Sequence, residues 1–113
     1  MAEPRLEAFD RELAEALDRL AASLRAGNGL EHSLSAVARA NPGACSEEYG
    51  SVLQDVDLGL DLDEALSRMT ERVASEDARQ LATAVSVQRR TGDNLPEVLN
   101  QTIQMIRERQ RRP

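Results

Sequence analysis

A turn motif that occurs three times restricts the fold of this chain more than any other feature. Each copy reads glycine, any residue, a helix-capping residue and leucine, with a second leucine four positions later. The glycines, Gly27, Gly59 and Gly92, lie 32 and 33 residues apart. Glycine suits the left-handed conformation that follows a helix end, and a repeat of this period is typical of stacked helical units. We therefore expect helices joined by tight structural turns.

The capping residues of these turns are Gly29, Asp61 and Asn94. Asn94 is a favoured N-cap, and Glu97 three residues later completes a capping box. Asp61 and Glu64 have the same spacing. Each turn is thus predicted to end one helix and to start the next.

The apolar residues favour helices over strands. Aromatic residues make up only 2% of the chain, so aliphatic side chains and alanine must form the core, which suits closely packed helices. Spacings of three and four residues place an apolar stripe on the first helix, at Leu6, Phe9, Leu13, Leu17, Leu20 and Leu24. The predicted fold class is all-α, a bundle of about six antiparallel helices built from helical hairpins.

The helices are expected at about 6–26, 30–40, 46–58 and 62–73, with a fifth capped by Ser75 and a sixth from about Leu95. Residues 1–5 are predicted to be a disordered N-terminal tail, and residues 6–112 to be one helical domain. The longest uncharged runs, nine residues each, are too short to span a bilayer, so the segment is expected to be soluble.

The charge is acidic and unevenly distributed along the chain. A net charge of −6 argues against nucleic-acid binding, because phosphate contacts require a basic surface. Residues 1–64 carry 14 acids and 5 arginines, whereas residues 65–113 carry 6 acids and 9 arginines. This split predicts that the acidic half attracts a partner by a charge interaction that weakens with salt.

Residues suited to catalysis are sparse. Cys45 is the single cysteine, so no internal disulfide is possible, and the only histidine, His32, is expected to be exposed near a helix start. A thiol–imidazole pair is the less favoured interpretation, and neither residue has neighbours for a zinc site. Phosphate-binding glycine loops and common hydrolase motifs are missing from the sequence. We expect a binding protein rather than an enzyme, with no cofactor and no metal.

Carboxylates crowd around the second glycine turn, at Asp55, Asp57, Asp61, Asp63 and Glu64. As a calcium-binding loop that begins at Asp55, this stretch fails at its fifth, sixth and twelfth positions, which are Gly59, Leu60 and Leu66. A looser cation site stays open, but a solvated acidic corner is the favoured interpretation.

Three segments with helix-end signals are Leu24-Arg25-Ala26-Gly27, Ser75-Glu76-Asp77-Ala78-Arg79-Gln80-Leu81 and Gln88-Arg89-Arg90-Thr91-Gly92-Asp93-Asn94-Leu95. In this order and spacing they resemble the cytoplasmic domain of the type II secretion system protein F family. The nearest resemblance is to the inner-membrane platform protein of Tad/Flp-type pili. It covers roughly residues 6–109, nearly the whole chain.

The resemblance implies a non-catalytic domain on the cytoplasmic face of the bacterial inner membrane. Family members couple a hexameric cytoplasmic ATPase to pilin assembly or protein secretion. The implied partners are that ATPase, other platform subunits and the membrane, through transmembrane helices outside this chain; a homodimer is left open. Basic residues collect on the inner side of a membrane span, which fits Arg107, Arg109, Arg111 and Arg112. A solvated helix tail explains these arginines equally well.

The partner surface is expected on the acidic half, at Glu47, Glu48, Asp55, Asp57, Asp61 and Asp63. Arg89 and Arg90 are a second candidate, although arginines at a helix end more often complement the helix dipole. The alternative function is a free-standing helical-repeat adaptor that binds proteins on a concave face. Hydrophobic stretches of about 20 residues beside this segment in the parent gene would favour the platform protein.

Overall fold

The computed structural model describes residues 3–40 and 42–111, which form six α-helices and no β-strand. The helices are α1 (Glu3–Arg25), α2 (Leu30–Ala40), α3 (Ala44–Asp57), α4 (Leu62–Arg72), α5 (Glu76–Thr91) and α6 (Leu95–Arg111). The predicted all-α bundle is thereby confirmed.

Helix α1 packs against α2, α3, α5 and α6, whereas α4 packs against α3 and α5. Connections of three or four residues separate the helices, and each helix contacts the next one along the chain. Consecutive helices joined by such short connections are antiparallel neighbours. The contact between α1 and α6 closes the bundle.

This alternation of direction places the connections at two ends of the molecule. The three glycine turns lie together at one end, which we call the glycine-turn end (residues 26–30, 58–62 and 92–95). The opposite end holds the connections α2–α3 and α4–α5, the start of α1 and the end of α6.

One continuous aliphatic core extends through the bundle. The apolar stripe of α1 is buried except at its ends, where Leu6 and Leu24 are partly buried. Burying a large apolar side chain contributes about 1.5–3 kcal/mol, so the core is the main source of stability. The other helices supply the fully buried Leu34, Tyr49, Met69, Leu81, Leu99 and Ile103.

The three turn glycines adopt the left-handed conformation that the motif predicts. Their φ angles are 94° at Gly27, 103° at Gly59 and 77° at Gly92, and no other described residue lies in the left-handed region. The cap of α6 also forms as predicted, because Oδ1 of Asn94 accepts a hydrogen bond from the Glu97 N–H at 3.2 Å.

Helix α1 begins earlier than predicted. Its first residue is Glu3, so residues 3–5 are helical and are not part of a disordered tail. Pro4 fits the first turn, where its missing N–H costs nothing. Arg5 forms an ion pair with Glu47 of α3 and so anchors this turn. The first two residues of the predicted tail lie outside the described residues.

Helix α3 also begins earlier, at Ala44 rather than Ser46. Its N-cap, Gly43, has no side chain, but Oε1 of Glu12 accepts a hydrogen bond from the Cys45 N–H at 3.0 Å. A carboxylate at this position satisfies one of the N–H groups that a helix start leaves free. The start of α3 therefore depends on a contact from α1.

The capping box predicted at Asp61 does not form. Asp61 has the extended backbone of an N-cap, but its side chain makes no cap hydrogen bond. Arg89 donates a hydrogen bond to Oδ2 of Asp61 at 2.9 Å instead. The carboxylate is therefore directed towards α5 rather than towards the N–H groups of its own helix. The side chain thus ties α4 to α5.

Candidate partner-binding surface

The structure divides the predicted acidic surface between the two ends of the bundle. Glu47 and Glu48 lie near the start of α3, whereas Asp57 is its last residue and Asp61 and Asp63 follow at the glycine-turn end. At 1.5 Å per residue, the 14 residues of α3 span about 20 Å. The predicted carboxylates therefore do not form one continuous patch.

Two of the predicted partner-binding carboxylates are buried between helices. Glu48 is 9% exposed and Asp55 is 8% exposed. Arg72 donates a hydrogen bond to Glu48 at 3.0 Å, and Nε of Arg68 lies 3.2 Å from Oδ2 of Asp55. A buried charge needs such a partner, because removing it from water is costly. These carboxylates join α3 to α4 and are withdrawn from the surface.

Arg89 connects the two candidate sites that the sequence kept apart. It lies 2.9 Å from Asp61 and 3.4 Å from Asp63, and so joins the end of α5 to the start of α4. Arg90 is exposed and has no ion pair with the described residues. The adjacent arginines therefore differ in role: Arg89 is structural, and Arg90 faces solvent.

The uneven charge along the sequence is balanced in part inside the fold, where four arginines of residues 65–113 pair with five of the 14 acids of residues 1–64. The pairs are Arg68–Asp55, Arg72–Glu48, Arg89–Asp61, Arg89–Asp63 and Arg107–Asp18. Part of the split in charge therefore reflects helix packing, and these five acids are less available to a partner.

Among the described residues, exposed carboxylates without an ion pair are more numerous at the glycine-turn end than near the opposite end, where they are Glu3, Glu7 and Glu71. Helices α2, α4 and α6 begin at the glycine-turn end, and acids in a first turn complement the helix dipole. Among the described residues, the exposed acids at this end that lack an ion pair are Glu31, Asp57, Glu64, Asp93 and Glu97. With Asp61 and Asp63 they outnumber the arginines of this end, Arg25, Arg89 and Arg90.

A groove of about 360 Å³ opens at the same end of the bundle, and Asp61 is the one acid among its lining residues. We call it the turn groove; it is lined by Leu30, Val56, Leu60, Asp61, Leu62, Val85, Gln88, Arg89 and Leu95. Leu30, Leu62 and Leu95 are the leucines that follow the three caps. The repeated motif therefore supplies three of the residues that line the groove. The sequence analysis identified the motif but did not predict the groove.

Leu58 lies beside the turn groove and is 80% exposed, more than any other large apolar side chain described. It is the C-cap of α3, between the lining residues Val56 and Leu60. A single exposed leucine is ordinary, but one that adjoins an apolar groove enlarges a surface typical of protein binding.

The opposite end is closed by a polar cluster that the sequence did not predict. Asp77, whose side chain is 5% exposed, pairs with Arg109 at 2.7 Å. Ser75 donates a hydrogen bond to Asp10 at 2.5 Å and, as predicted, caps α5 by accepting one from the Ala78 N–H. Burial raises the pKa of Asp77 above its ordinary 3.8, an effect that nearby Arg109 opposes and nearby Asp10 reinforces.

Part of the basic tail is also held in the fold. Arg107 pairs with Asp18 of α1, and Arg109 is engaged as described. Arg111 is exposed and has no ion pair among the described residues, and Arg112 lies outside them. Arg107 and Arg109 therefore have a structural explanation that is independent of any membrane.

His32 lies in the first turn of α2 and Cys45 in the first turn of α3, at different ends of the bundle, so they do not form a pair. His32 is exposed at the glycine-turn end, whereas Cys45 is 1% exposed at the opposite end. Burial, reinforced by the charges of Glu12 and Glu48, raises the pKa of the Cys45 thiol to about 12. The thiol is therefore protonated and unreactive near neutral pH.

Within residues 3–40 and 42–111, no group of three His, Cys, Asp or Glu residues is arranged to hold a metal ion. Over the same residues, no helix combines the length and the apolar composition needed to cross a bilayer.

The fold defines the class of all-α helical bundles, with a groove at one end that is lined mainly by apolar residues. The model of the family "type II secretion system (T2SS), protein F" matches residues 16–112. The match covers most of the chain, so the chain belongs to this family, and the resemblance seen in the sequence is confirmed. The family comprises non-catalytic platform proteins of inner-membrane secretion systems, which interact with other components of those systems. A search of curated proteins finds no match to the chain.

Proposed function

We propose that this chain is the cytoplasmic domain of an inner-membrane platform protein, and that it couples a hexameric ATPase to pilin assembly or protein secretion. The observation that carries the proposal is the family match over residues 16–112. The segments at 24–27, 75–81 and 88–95 favour a Tad/Flp-type pilus among the systems that such proteins serve. Other platform subunits are further expected partners, and a homodimer is left open.

The topology supports a defined orientation of the domain. Helix α6 ends at the opposite end from the glycine turns. A membrane span that followed α6 would therefore hold the opposite end towards the membrane and present the glycine-turn end to the cytoplasm. The exposed Arg111 fits this arrangement, because basic residues collect on the cytoplasmic side of a span.

The alternative of a helical-repeat adaptor receives less support from the packing. In a solenoid each repeat contacts only its neighbours, and the stack leaves a concave face open. Here α1 contacts α5 and α6 as well as α2 and α3, so the first helix packs against the last. The three hairpins form a closed bundle rather than an extended array.

The proposal is tested by measuring association of the domain with its cognate secretion ATPase. The variant Asp57→Arg reverses an exposed charge at the glycine-turn end, and Asp61 and Asp63 are left intact because Arg89 binds them. The matched control is Glu7→Arg, which makes the same change at an exposed residue near the opposite end.

We expect wild type and Glu7→Arg to bind at similar rates, and Asp57→Arg to associate several-fold more slowly at low salt, with the difference shrinking as salt rises. An ATPase that does not bind the wild-type domain contradicts the proposed function. Equal association rates for Asp57→Arg and wild type would exclude the acids of this end and direct attention to Arg90.

A further inference from the structure

We propose that the turn groove binds one large apolar side chain carried on a basic segment of the partner ATPase. This inference rests on the proposed function, and it adds the place and the chemistry of recognition. Its three supports are the apolar lining of the groove, the excess of acids around it and the fixed shape of its walls.

The lining offers apolar surface that the bundle itself leaves incompletely covered. Leu30, Val56, Leu60 and Leu95 are half-buried, whereas Leu62 and Val85 beneath them are buried. A volume of about 360 Å³ lies at the small end of the range for ligand pockets. The groove is open to solvent, so it suits a side chain that projects from a protein surface.

The charge around the groove favours a basic partner. Glu31, Asp57 and Glu64 are exposed, carry no ion pair among the described residues and start or end the helices that supply the lining. At the opposite end, arginines from this chain pair with Glu48 and Asp77, and fewer exposed acids, Glu3, Glu7 and Glu71, are left without an ion pair among the described residues. Carboxylates left without an internal countercharge steer a positively charged segment towards the groove.

The walls of the groove are fixed before a partner arrives. Arg89 holds the start of α4 through Asp61 and Asp63, and Gln88 donates a hydrogen bond to the backbone oxygen of Asp93 at 2.8 Å. Asn94 caps α6. A preorganised site loses little conformational entropy on binding, so even a small groove can add affinity.

A second copy of this chain is a poor occupant. A two-fold contact places the same surface on both sides, so the acids around one groove would face the acids around the other. Like charges brought together across an interface cost free energy and select against that partner. The occupant with complementary charge is a basic segment of another protein.

The test compares two leucine substitutions with one methionine substitution and measures the binding of each variant to the cognate secretion ATPase. Leu60→Ser removes part of the groove lining, and Leu58→Ser removes the exposed side chain beside it. Met105→Ser is the matched control, because Met105 is 55% exposed on α6 and does not line the groove. Circular dichroism confirms that each variant is helical before binding is measured.

We expect Leu60→Ser to raise the Kd by about tenfold, Leu58→Ser to raise it several-fold and Met105→Ser to leave it unchanged. If Leu60→Ser is unfolded, the comparison of Leu58→Ser with Met105→Ser decides. If Leu60→Ser and Leu58→Ser both bind the ATPase with the Kd of wild type, the inference is overturned, but the proposed function stands. Failure of the wild type to bind contradicts the proposed function itself.

A second measurement locates the contact directly. In the methyl-labelled domain, added ATPase should shift the signals of Leu30, Leu60 and Leu95 more than those of Leu6 and Val73, which lie nearer the opposite end. Shifts confined to the opposite end would overturn the inference. The inference would also be overturned if the domain alone formed a dimer and Leu58→Ser dissociated it, because a second copy would then occupy the groove.

Discussion

The two ends of the bundle use the same kinds of residue in different ways. At the opposite end, Asp77 and Glu48 are buried and paired with arginines, and Asp10 receives a hydrogen bond from Ser75. At the glycine-turn end, Asp57 and its neighbouring acids face solvent beside an open apolar groove. The comparison indicates that one end holds the helices together and the other is available to a partner.

The difference does not arise from the helix starts themselves. Three helices begin at each end, and first-turn acids occur at both, for example Glu47 and Glu76 at the opposite end and Glu31 and Glu97 at the glycine-turn end. What differs is the supply of arginines from neighbouring helices. Several of these reach the opposite end, whereas Arg89 is the only one that binds acids across helices among the described residues of the glycine-turn end.

The sharpest test of the comparison is to remove Arg109. Asp77 would then be a buried carboxylate without its countercharge, and hydrogen bonds to charged groups contribute about 1.5–3 kcal/mol. Because Arg109 is half-exposed, we expect Arg109→Ala to lower the free energy of unfolding by roughly 2 kcal/mol in urea titrations. Arg111→Ala, at an exposed residue without an ion pair among those described, should change it by less than about 0.5 kcal/mol. Equal effects would show that the pair does not hold this end.

At the glycine-turn end, the expected weak point is the backbone rather than a side chain. A Cβ at position 92 would meet no atom within 4 Å, but φ there is 77°. Gly92→Val should therefore destabilise the domain by about 1–2 kcal/mol through backbone strain alone. Gly50→Ala, within α3 where a Cβ also meets no atom, should instead stabilise it by about 0.5–1 kcal/mol. A melting temperature that Gly92→Val leaves unchanged contradicts the role of this turn.

The core beside the opposite end has one defect whose removal should stabilise the domain. Tyr49 is fully buried, and its hydroxyl has no hydrogen-bond partner within the described residues. An unsatisfied buried polar group costs about 1–3 kcal/mol, so Tyr49→Phe should raise the free energy of unfolding by about 1 kcal/mol. Denaturant titrations of the variant and of wild type measure this change, provided that the free energy of unfolding depends on denaturant concentration with the same slope in both. A loss of stability in Tyr49→Phe would mean that the hydroxyl is satisfied in solution.

The smallest expected effect is a dependence of stability on pH. The raised pKa of Asp77 means that, just above 3.8, the folded protein keeps a proton that the unfolded chain has released. The contribution of this group to stability therefore falls as pH rises through the window between the two pKa values. Asp77→Asn cannot ionise, so its melting temperature should gain on that of wild type as the pH rises from below 3.8 through the raised pKa of Asp77. Parallel profiles would contradict the assigned shift.

Much of the architecture was predictable because its signals are local. The bounds of α2, the left-handed glycines and the caps at Ser75 and Asn94 each depend on residues within one or two turns. The early start of α3 was not predictable, because Glu12 supplies the hydrogen bond from 33 residues away. The hydrogen bond from Arg89 to Asp61 was not predictable either, because it forms only when α4 and α5 lie side by side.

The sequence by itself determined the helical class, the positions of the turns and membership of the family, because periodic apolar residues, caps and glycines act through short-range geometry. Only the tertiary structure decided which charges are available to a partner. Glu48 and Asp57 are both acids of α3, but Arg72 lies against the first and solvent against the second. A carboxylate holds the fold when an arginine from another helix packs against it, and it is available to a partner when none does. Residues distant in sequence decide which of these occurs.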